Sequence, residues 1–321
     1  MGSQREQEGF RAAYLNLGVE EVEERAAQAR EMLEECCLCG HRCGRNRLQS
    51  SRGTVCRTGA QAVVASFHPH FGEQAPLVGF HGSGTIFFSW CNLKCCYCQN
   101  YDISQLGHGT LVSKEVLAEM MLKLQERGCH NINLVSPTHV LPMFLEALVV
   151  AIRKGLHLPI VYNTGGYDSL EALSLLDGVV DIYMPDMKYS DPKLASKLSK
   201  AIHYPEVNQA AVLEMHRQVG ELVLDDQGIA LRGLLVRHLV LPGHLDNTKN
   251  ILDFIAKKVS PNTYVNLMDQ YRPCYQAYRY PPLDRSLRIE EFREAVRLAK
   301  EAGLTRLDHE VAPRKPFFFR I

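Results

Sequence analysis

The feature that most constrains this chain is a group of three cysteines on one short loop. Cys91, Cys95 and Cys98 stand at C-x3-C-x2-C spacing directly after the apolar run Gly84–Ser89. These thiolates suit three corners of a 4Fe-4S cubane, which is normally held by four cysteines. A loop that supplies only three leaves one iron open to a ligand that is not protein. We therefore interpret the loop as a site of reaction rather than a structural element.

A zinc knuckle is the main alternative for this loop, and three buried thiols are another. Structural zinc takes four closed ligands, usually as two pairs along the chain, whereas this loop offers an odd set of three. Cys96 lies inside the motif, but adjacent residues point in divergent directions, so we interpret it as a bystander. Tyr97 precedes the third ligand, where its ring can lie against a flat heterocycle bound at the open iron. These points favour the cluster.

With an aromatic residue before its third cysteine, the loop resembles the signature of the radical S-adenosylmethionine (SAM) superfamily. The resemblance implies that the amino and carboxylate groups of SAM chelate the open iron. It also implies that one electron from the reduced cluster cleaves SAM to methionine and a 5'-deoxyadenosyl radical. That radical would abstract a hydrogen atom from the substrate.

Composition limits the function classes. Lys+Arg and Asp+Glu both total 36, so there is no global basic field to attract nucleic acid. No apolar stretch approaches the ~20 residues needed to cross a bilayer, and the polar N-terminus lacks the apolar core of a signal peptide. Eleven cysteines in such a chain favour a reducing compartment. We expect a cytoplasmic protein that binds neither a membrane nor nucleic acid.

A second group of cysteines precedes the first, among glycines and arginines that permit a tight turn and stabilise thiolates. Its four members are Cys36, Cys39, Cys43 and Cys56. They satisfy either structural zinc or a second, fully ligated 4Fe-4S cluster, and the short x2 and x3 spacings favour the cluster. Cys37 is an alternative to Cys36 as a ligand. Cys129 and Cys274 stand apart from both groups, and core packing is their expected role.

Strand and helix patterns alternate along the rest of the chain. Predicted helices cover 19–35, the run after Ser113, 143–152 and 289–302, and predicted strands cover 62–67, 84–89, 132–135, 160–162, 181–184, 234–241 and 264–268. His68 and His70 are expected on a solvated loop. About six strand–helix units indicate an α/β fold with a parallel sheet and right-handed crossovers. The prediction is a partial (β/α)6 TIM-like barrel of radical SAM type.

Two domains are expected. Residues 1–70 would form an N-terminal helix and a four-cysteine metal-binding segment, and residues 71–321 the barrel with a C-terminal extension. In parallel sheets, polar loops at the carboxyl ends of the strands build the site. Every polar cluster of the predicted barrel follows the carboxyl end of a strand. We therefore expect these clusters and the cysteine loop to lie together at one end of the barrel.

Within the superfamily, residues 84 to 275 are most similar to the branch of the pyruvate formate-lyase activating enzyme. The resemblance implies that Asn163 and Thr164 lie near the SAM carboxylate and that Asp186 and Lys188 grip its methionine end. Arg237 matches an arginine that reaches SAM in the same branch. Asn163 stands where the activating enzyme carries an Asp that helps to hold a monovalent cation. An ordinary ion pair at a strand end is the alternative for Asp186 and Lys188.

The chain departs from the superfamily after its second barrel strand, where many members carry Gly-Gly-Glu to bind the SAM amino group. Thr138 and His139 stand there instead. Either one can accept a hydrogen bond from that ammonium group, or it can cap the helix that begins at Val140. His238 follows Arg237, so one of the two must point toward the outer helices, and we predict that His238 does.

The sequence therefore predicts a radical SAM enzyme that uses a 4Fe-4S cluster and SAM, with a second 4Fe-4S cluster or zinc at the N-terminal cysteines. The expected partners are SAM, an external electron donor such as flavodoxin or ferredoxin, and a protein or peptide substrate. Aromatic and cationic groups in residues 270–282 and at Phe317–Phe319 suit a peptide or nucleotide surface, with loop packing as the alternative. The competing function is an iron-sulfur electron carrier or redox sensor that does not cleave SAM.

Overall fold

The structure is a computed structural model that describes residues 10–308, so the aromatic group at Phe317–Phe319 lies outside the described residues. The strands of the described chain are β1 (Ala62–His70), β2 (Ser83–Phe88), β3 (Thr110–Val112), β4 (Ile132–Val135), β5 (Ile160–Thr164), β6 (Ile182–Pro185), β7 (Val223–Leu224), β8 (Ala230–Leu239), β9 (Tyr264–Met268) and β10 (Arg306–Asp308).

The α-helices of the same residues are α1 (Tyr14–Leu17), α2 (Val19–Glu31), α3 (Ala75–Val78), α4 (Tyr101–Ser104), α5 (Lys114–Glu126), α6 (Leu141–Arg153), α7 (Leu170–Ser174), α8 (Pro192–Ser199), α9 (Tyr204–Val219), α10 (Leu245–Phe254) and α11 (Ile289–Glu301). Short 3-10 turns lie at Thr138–Val140 and Ala277–Arg279, and a π-helical turn at Ile255–Val259 extends α10.

One open sheet organises the molecule, in the order β10-β9-β8-β6-β5-β4-β2-β1-β3, with β7 paired to β8. From β2 to β10 the neighbours in this order run parallel, whereas β1 pairs antiparallel with β2 and β3. All five residues of β5 are buried, as expected for a parallel strand covered on both faces. The predicted α/β fold with a partial barrel is confirmed, and the sheet does not close.

The sequence predicts about six strand–helix units, and the described residues contain six, namely β2–α5, β4–α6, β5–α7, β6–α8/α9, β8–α10 and β9–α11. Local signals set several boundaries. The Ser113 hydroxyl caps α5 by accepting a hydrogen bond from the Val116 N–H, and Gly128 follows the helix with φ +79°, the conformation that glycine adopts without strain. The helix predicted over 19–35 ends at Glu31, because the chain then turns toward the N-terminal group of four cysteines.

One prediction about β1 is wrong. His68 and His70 belong to strand β1 rather than to a loop, since they pair with Thr85 and Ser83 of β2. Their rings lie 5.6 Å apart, and that of His68 stacks on Phe87. The domain boundary at residue 70 stays a prediction, although β1 before it and β2 after it share one sheet.

The N-terminal segment packs on the barrel through a common core. Helix α2 lies against α6, and its buried residues join the same hydrophobic cluster as the barrel. Farther toward the N-terminus, the Ala13 N–H donates to Asp181 Oδ1 at 2.8 Å, and the Tyr14 hydroxyl donates to the Leu158 carbonyl at 2.9 Å. These contacts fix the segment that carries the N-terminal group of four cysteines against the barrel.

Helix α9 holds the carboxyl ends of β5 and β6 in place. The Tyr204 hydroxyl lies 2.8 Å from the Gly165 carbonyl and 3.0 Å from that of Asp186. The Asn208 amide donates to the carbonyls of Gly166 and Asp186 at 2.9 and 3.0 Å. Backbone groups that leave the sheet are thus satisfied by side chains, and the residues after both strands are held at one edge.

The buried side chain of His238 makes the folding stability depend on pH. As predicted, it points outward, with Nδ1 2.6 Å from the Met187 carbonyl and Nε2 2.9 Å from the Thr248 hydroxyl. Burial lowers the pKa of His238 to about 4. The unfolded chain, with a histidine pKa of ~6.5, therefore binds more protons between those two pH values, and stability falls as the pH drops through this window.

We expect His238→Gln to remove up to about 3 kcal/mol of this pH dependence between pH 7 and pH 4. The measurement is the thermal unfolding midpoint as a function of pH. His157→Gln, at an exposed position, is the matched control and should keep the wild-type slope. An unchanged slope in His238→Gln would contradict the assignment of a buried neutral imidazole.

Candidate metal and cofactor site

The three cysteines of the β2–α4 loop line one cavity of about 200 Å³ at the carboxyl edge of the sheet. Its wall also contains residues from the ends of β4, β5, β6 and β8: Val135, Ser136, Asn163, Thr164, Gly165, Asp186, Lys188, Arg237 and Leu239. The structure therefore brings the predicted cysteines together with six of the predicted SAM contacts, Tyr97 among them. Cys96 does not line the cavity.

The cysteine loop is docked on the C-terminal end of α8. The Lys94 N–H donates to the Ser199 carbonyl at 2.9 Å, and the Cys96 N–H donates to the Leu198 carbonyl at 2.8 Å. These bonds satisfy helix-end carbonyls that lack partners within the helix. On its other side, the Cys96 carbonyl accepts from the Gln276 N–H at 2.8 Å. The loop is therefore held between α8 and the segment after β9.

Each of the three sulfurs has a hydrogen-bond partner. The Leu93 N–H donates to Cys91 Sγ at 3.4 Å, the Ser199 hydroxyl donates to Cys95 Sγ at 3.0 Å, and Cys98 Sγ lies 3.1 Å from the Ser104 hydroxyl. Burial raises the pKa of all three thiols. Their thiolates therefore need positive charge nearby, which an iron-sulfur cluster provides directly.

This donor set fits a 4Fe-4S cluster with one open corner. Three sulfurs, each with a partner suited to a thiolate, face one cavity, and the rest of the wall offers carboxylate, ammonium and guanidinium groups that suit a zwitterionic ligand. Such a ligand would take the fourth coordination position. The fit rests on the residue types, their burial and their common cavity.

A buried ion network forms the opposite wall. Asp186 Oδ2 lies 2.6 Å from Lys188 Nζ, and Asp186 Oδ1 accepts from Arg237 Nε at 2.9 Å. Arg237 also donates to Asn163 Oδ1 at 2.7 Å and lies 3.7 Å from a Glu73 carboxylate oxygen. Burial acts to raise the pKa of Asp186, but attraction to Arg237 and Lys188 outweighs it and the net pKa is lowered. Asp186 is therefore a stable anion between two cations.

Thr138 and His139 lie behind the cavity wall rather than in it. The Thr138 hydroxyl donates to Asp168 Oδ1 at 2.7 Å, and His139 Nε2 lies 2.9 Å from the Ser89 carbonyl. Neither side chain caps α6, since no side-chain cap bond is found at its start, where the first residue after the cap is Leu141. The alternative of a helix cap is wrong, because both residues belong to the 3-10 turn Thr138–Val140 and the cap position is Val140.

Asp168 organises this second layer. Its carboxylate accepts hydrogen bonds from Thr138 and Thr164 at 2.7 Å and from Tyr162 at 3.1 Å. Burial raises the pKa of Asp168, and the three hydroxyl donors oppose that effect. Because Thr164 lines the cavity, Asp168 fixes one polar group of the wall. Sequence analysis did not assign it, although it stands four residues after Thr164.

The four N-terminal cysteines form a second group beside the first. Electrostatic interactions connect Cys39 with Cys36 and Cys56, and Cys43 with the same two residues. Cys37 lies instead toward Glu171 and Arg42, which favours Cys36 as the ligand. Burial raises the pKa of Cys39 and Cys43.

Arg47 is the charged partner of this group. It is 1% exposed, and its Nη1 lies 3.5 Å from Cys36 Sγ. Its other contacts are carbonyl oxygens, those of Thr58 at 2.7 Å, Gly59 at 3.3 Å and His139 at 2.5 Å. Within residues 10–308 no carboxylate forms an ion pair with it. A buried cation without an anion is costly, so the position suits a negatively charged group beside it.

The two cysteine groups are connected through short contacts. His41 Nε2 lies 2.7 Å from the Asn92 carbonyl of the cysteine loop, and the Asn92 amide donates to the Tyr167 carbonyl at 3.2 Å. Lys94 interacts electrostatically with Cys91 and with Cys56. The second group therefore lies against the loop that carries the first.

The two remaining isolated cysteines and the segment after β9 lie outside these groups. Cys129 is buried in the core, as predicted, and Cys274 is partly buried. Tyr271 is buried, with its hydroxyl donating to the Leu283 carbonyl at 2.6 Å. Its ring lies 5.9 Å from that of Tyr97, so the segment after β9 does reach the cavity wall.

Asp186→Asn tests the ion network. The substitution leaves Lys188 and Arg237 close together without their shared anion, so we expect a loss of about 3–5 kcal/mol in unfolding free energy. Denaturant unfolding measures it. Asp253→Asn is the control, because Asp253 pairs with Lys257 on an exposed helix face, where such pairs contribute about 0.5 kcal/mol. Equal losses in the two variants would contradict a buried network.

None of the helices in the described residues is long and apolar enough to cross a membrane. A family model described as the Radical SAM superfamily matches residues 85–255. The chain is 35% identical over 285 residues to the protein MJ0674 of Methanocaldococcus jannaschii, covering 86% of this chain and 77% of that protein. It is 26% identical over 241 residues to MJ0808 of the same organism, covering 72% and 65%.

Two solved structures are also similar. SuiB of Streptococcus suis, bound to its precursor peptide SuiA, superposes with a TM-score of 0.46 and 11% identity, over 68% of this chain and 46% of SuiB. The structure of TYW1 with a lysine-pyruvate adduct gives a TM-score of 0.42 and 12% identity, over 68% and 73%.

Proposed function

This chain belongs to the radical SAM superfamily, and we propose that it is an enzyme that cleaves SAM reductively at the three-cysteine loop. When bound, the reduced 4Fe-4S cluster supplies one electron to SAM, which gives methionine and a 5'-deoxyadenosyl radical. The observation that carries the proposal is the shared cavity of Cys91, Cys95 and Cys98 with the Asp186, Lys188 and Arg237 network.

The residues of the wall have distinct tasks in this proposal. Cys91, Cys95 and Cys98 would hold a 4Fe-4S cluster through three of its irons, which leaves the fourth iron for SAM. Lys188 and Arg237 would present cations to the methionine carboxylate, and Asp186 fixes both of them and would accept a hydrogen bond from the amino N–H groups. The preformed network binds without rearrangement, which lowers the cost of ordering the ligand.

The other predicted contacts divide between the wall and the layer behind it. Asn163 and Thr164 supply polar groups at the wall, and Tyr97 presents its ring to the cavity. Thr138 acts through the Asp168 carboxylate, which fixes Thr164, and His139 supports the Ser89 carbonyl at the end of β2. Both therefore position the site without lining it.

The second part of the proposal is hydrogen abstraction from a protein or peptide, by resemblance to the activating-enzyme branch. Exposed aromatic rings beside the cavity support it: Tyr101 stacks on Tyr275 with 5.1 Å between ring centroids, and Tyr278 is 65% exposed. Tyr101 directly follows Gln99 and Asn100, which line the cavity. Such rings provide large contact area at small entropic cost. An external donor such as flavodoxin or ferredoxin would supply the electron.

An electron carrier or redox sensor is the competing function. A carrier needs a cluster near the surface, but it does not need the buried network of Asp186, Lys188 and Arg237 in the wall of the same cavity. The network and the cavity therefore favour an enzyme. Formation of 5'-deoxyadenosine separates the two functions directly.

The test is to prepare the protein without oxygen, reduce it with dithionite and measure 5'-deoxyadenosine formed from SAM. We expect product from the wild type and none from Cys95→Ala, which lacks one cluster ligand. Cys96→Ala is the matched control, because Cys96 lies in the same loop outside the cavity, and it should retain activity. A wild type with an intact cluster that forms no product would favour the carrier.

We further propose that Cys36, Cys39, Cys43 and Cys56 hold a second metal centre, either a 4Fe-4S cluster or zinc. Both centres with four thiolates carry net negative charge, which matches the buried Arg47 guanidinium beside Cys36. About eight irons per chain indicate two clusters, and about four irons with one zinc indicate a structural site.

Arg47→Met should lower the content of this second metal, because the counter-charge to its thiolates is removed. Arg52→Met is the control, at an exposed position of the same segment, and should keep the full metal content. Elemental analysis of both variants gives the answer. About four irons and no zinc in the wild type would contradict a second centre.

A further inference from the structure

A row of buried hydroxyl groups leads from the cavity wall to one of the cysteines. The Tyr97 hydroxyl lies 2.6 Å from that of Tyr189, and Tyr189 lies 2.6 Å from the Ser199 hydroxyl. Ser199 Oγ lies 3.0 Å from Cys95 Sγ. The side chains are 5%, 1% and 0% exposed in chain order, so protein groups rather than bulk water satisfy them.

A metal-bound Cys95 fixes the direction of every bond in this row. A thiolate has no proton to give, so Ser199 must donate its only proton to Cys95 Sγ. Ser199 Oγ then accepts from Tyr189, and the Tyr189 oxygen accepts from Tyr97. Hydrogen bonds in such a row polarise one another in the same direction, so the distal tyrosines strengthen the contact at the sulfur.

The contact is not a by-product of the local turn. The partners of the other two sulfurs, Leu93 and Ser104, come from the loop or the short helix after it, but Ser199 is 104 positions away from Cys95 along the chain. It stands at the end of α8, where its own carbonyl accepts from the Lys94 N–H at 2.9 Å. Helix and loop therefore hold the hydroxyl and the sulfur at a fixed distance.

We propose that Ser199 is a positioning residue that, through the row Tyr97–Tyr189–Ser199, raises the reduction potential of the cluster held by Cys91, Cys95 and Cys98. Hydrogen bonds to ligand sulfurs are among the factors that set the potential of iron-sulfur clusters. They stabilise the reduced state more, because it carries one more negative charge. The inference rests on the cluster of the proposed function, and it goes beyond that function by assigning control of the potential to residues outside the cysteine motif.

The row also connects the ligand cavity with the cluster. Tyr97 lines the cavity, and its hydroxyl is the first member of the row.

The test is a redox titration of the full-length protein without SAM. EPR monitors the titration through the signal that is lost in Cys91→Ala. We expect Ser199→Ala to lower the equilibrium constant for reduction of the cluster about tenfold. For one electron this is a shift of the midpoint by ~59 mV to lower potential. Tyr189→Phe keeps the serine and should give a smaller shift in the same direction, and Tyr97→Phe the smallest. Tyr183→Phe is the control, because that buried hydroxyl bonds to Gln218 away from the row.

An unchanged midpoint in Ser199→Ala, or an equal shift in Tyr183→Phe, would overturn the proposal. If Ser199→Ala fails to assemble the cluster, Tyr189→Phe decides in the same way, because it retains the serine and the size of the ring. Since SAM is absent, a protein that does not cleave SAM still gives a valid potential. Failure of SAM cleavage and failure of this inference are therefore separate results.

Discussion

The Asp186 carboxylate holds Lys188 and Arg237 at the carboxyl edge of the sheet, 2.6 and 2.9 Å from its two oxygens. Two cations could not share this partly buried position without an anion between them. The anion is in turn fixed by its own backbone carbonyl, which accepts from Tyr204 and Asn208 of α9. The helix layer therefore determines where the charges stand, and the charges determine what the cavity can bind.

Buried positive charge recurs around both cysteine groups. Arg47 contacts Cys36, Lys94 interacts with Cys91 and Cys56, and Lys188 interacts with the three sulfurs of the cavity. Burial lowers the pKa of Lys94 and raises that of the thiols. In both groups, negative charge on metal-bound sulfur would offset the cost of burying these cations. The two groups of cysteines therefore share one electrostatic requirement.

Sequence predicted those features that local rules determine. Helix α5 follows from apolar periodicity and the Ser113 cap, and the outward direction of His238 follows from alternation along β8. Features that depend on partners distant in the chain were missed or misplaced. Thr138 donates a hydrogen bond to Asp168, thirty positions away along the chain, and Ser199 donates one to Cys95, 104 positions away. No local pattern encodes such contacts, because they arise only when α8 and the strand ends pack.

The proposed reaction requires that the three-cysteine loop hold a cluster with one iron open to SAM. EPR of the reduced protein under argon, before and after addition of SAM, detects such an iron. We expect a changed signal with SAM and hyperfine coupling from an isotopically labelled SAM amino group, both absent from Cys91→Ala. An intact cluster whose spectrum is identical with and without SAM would contradict the proposed reaction.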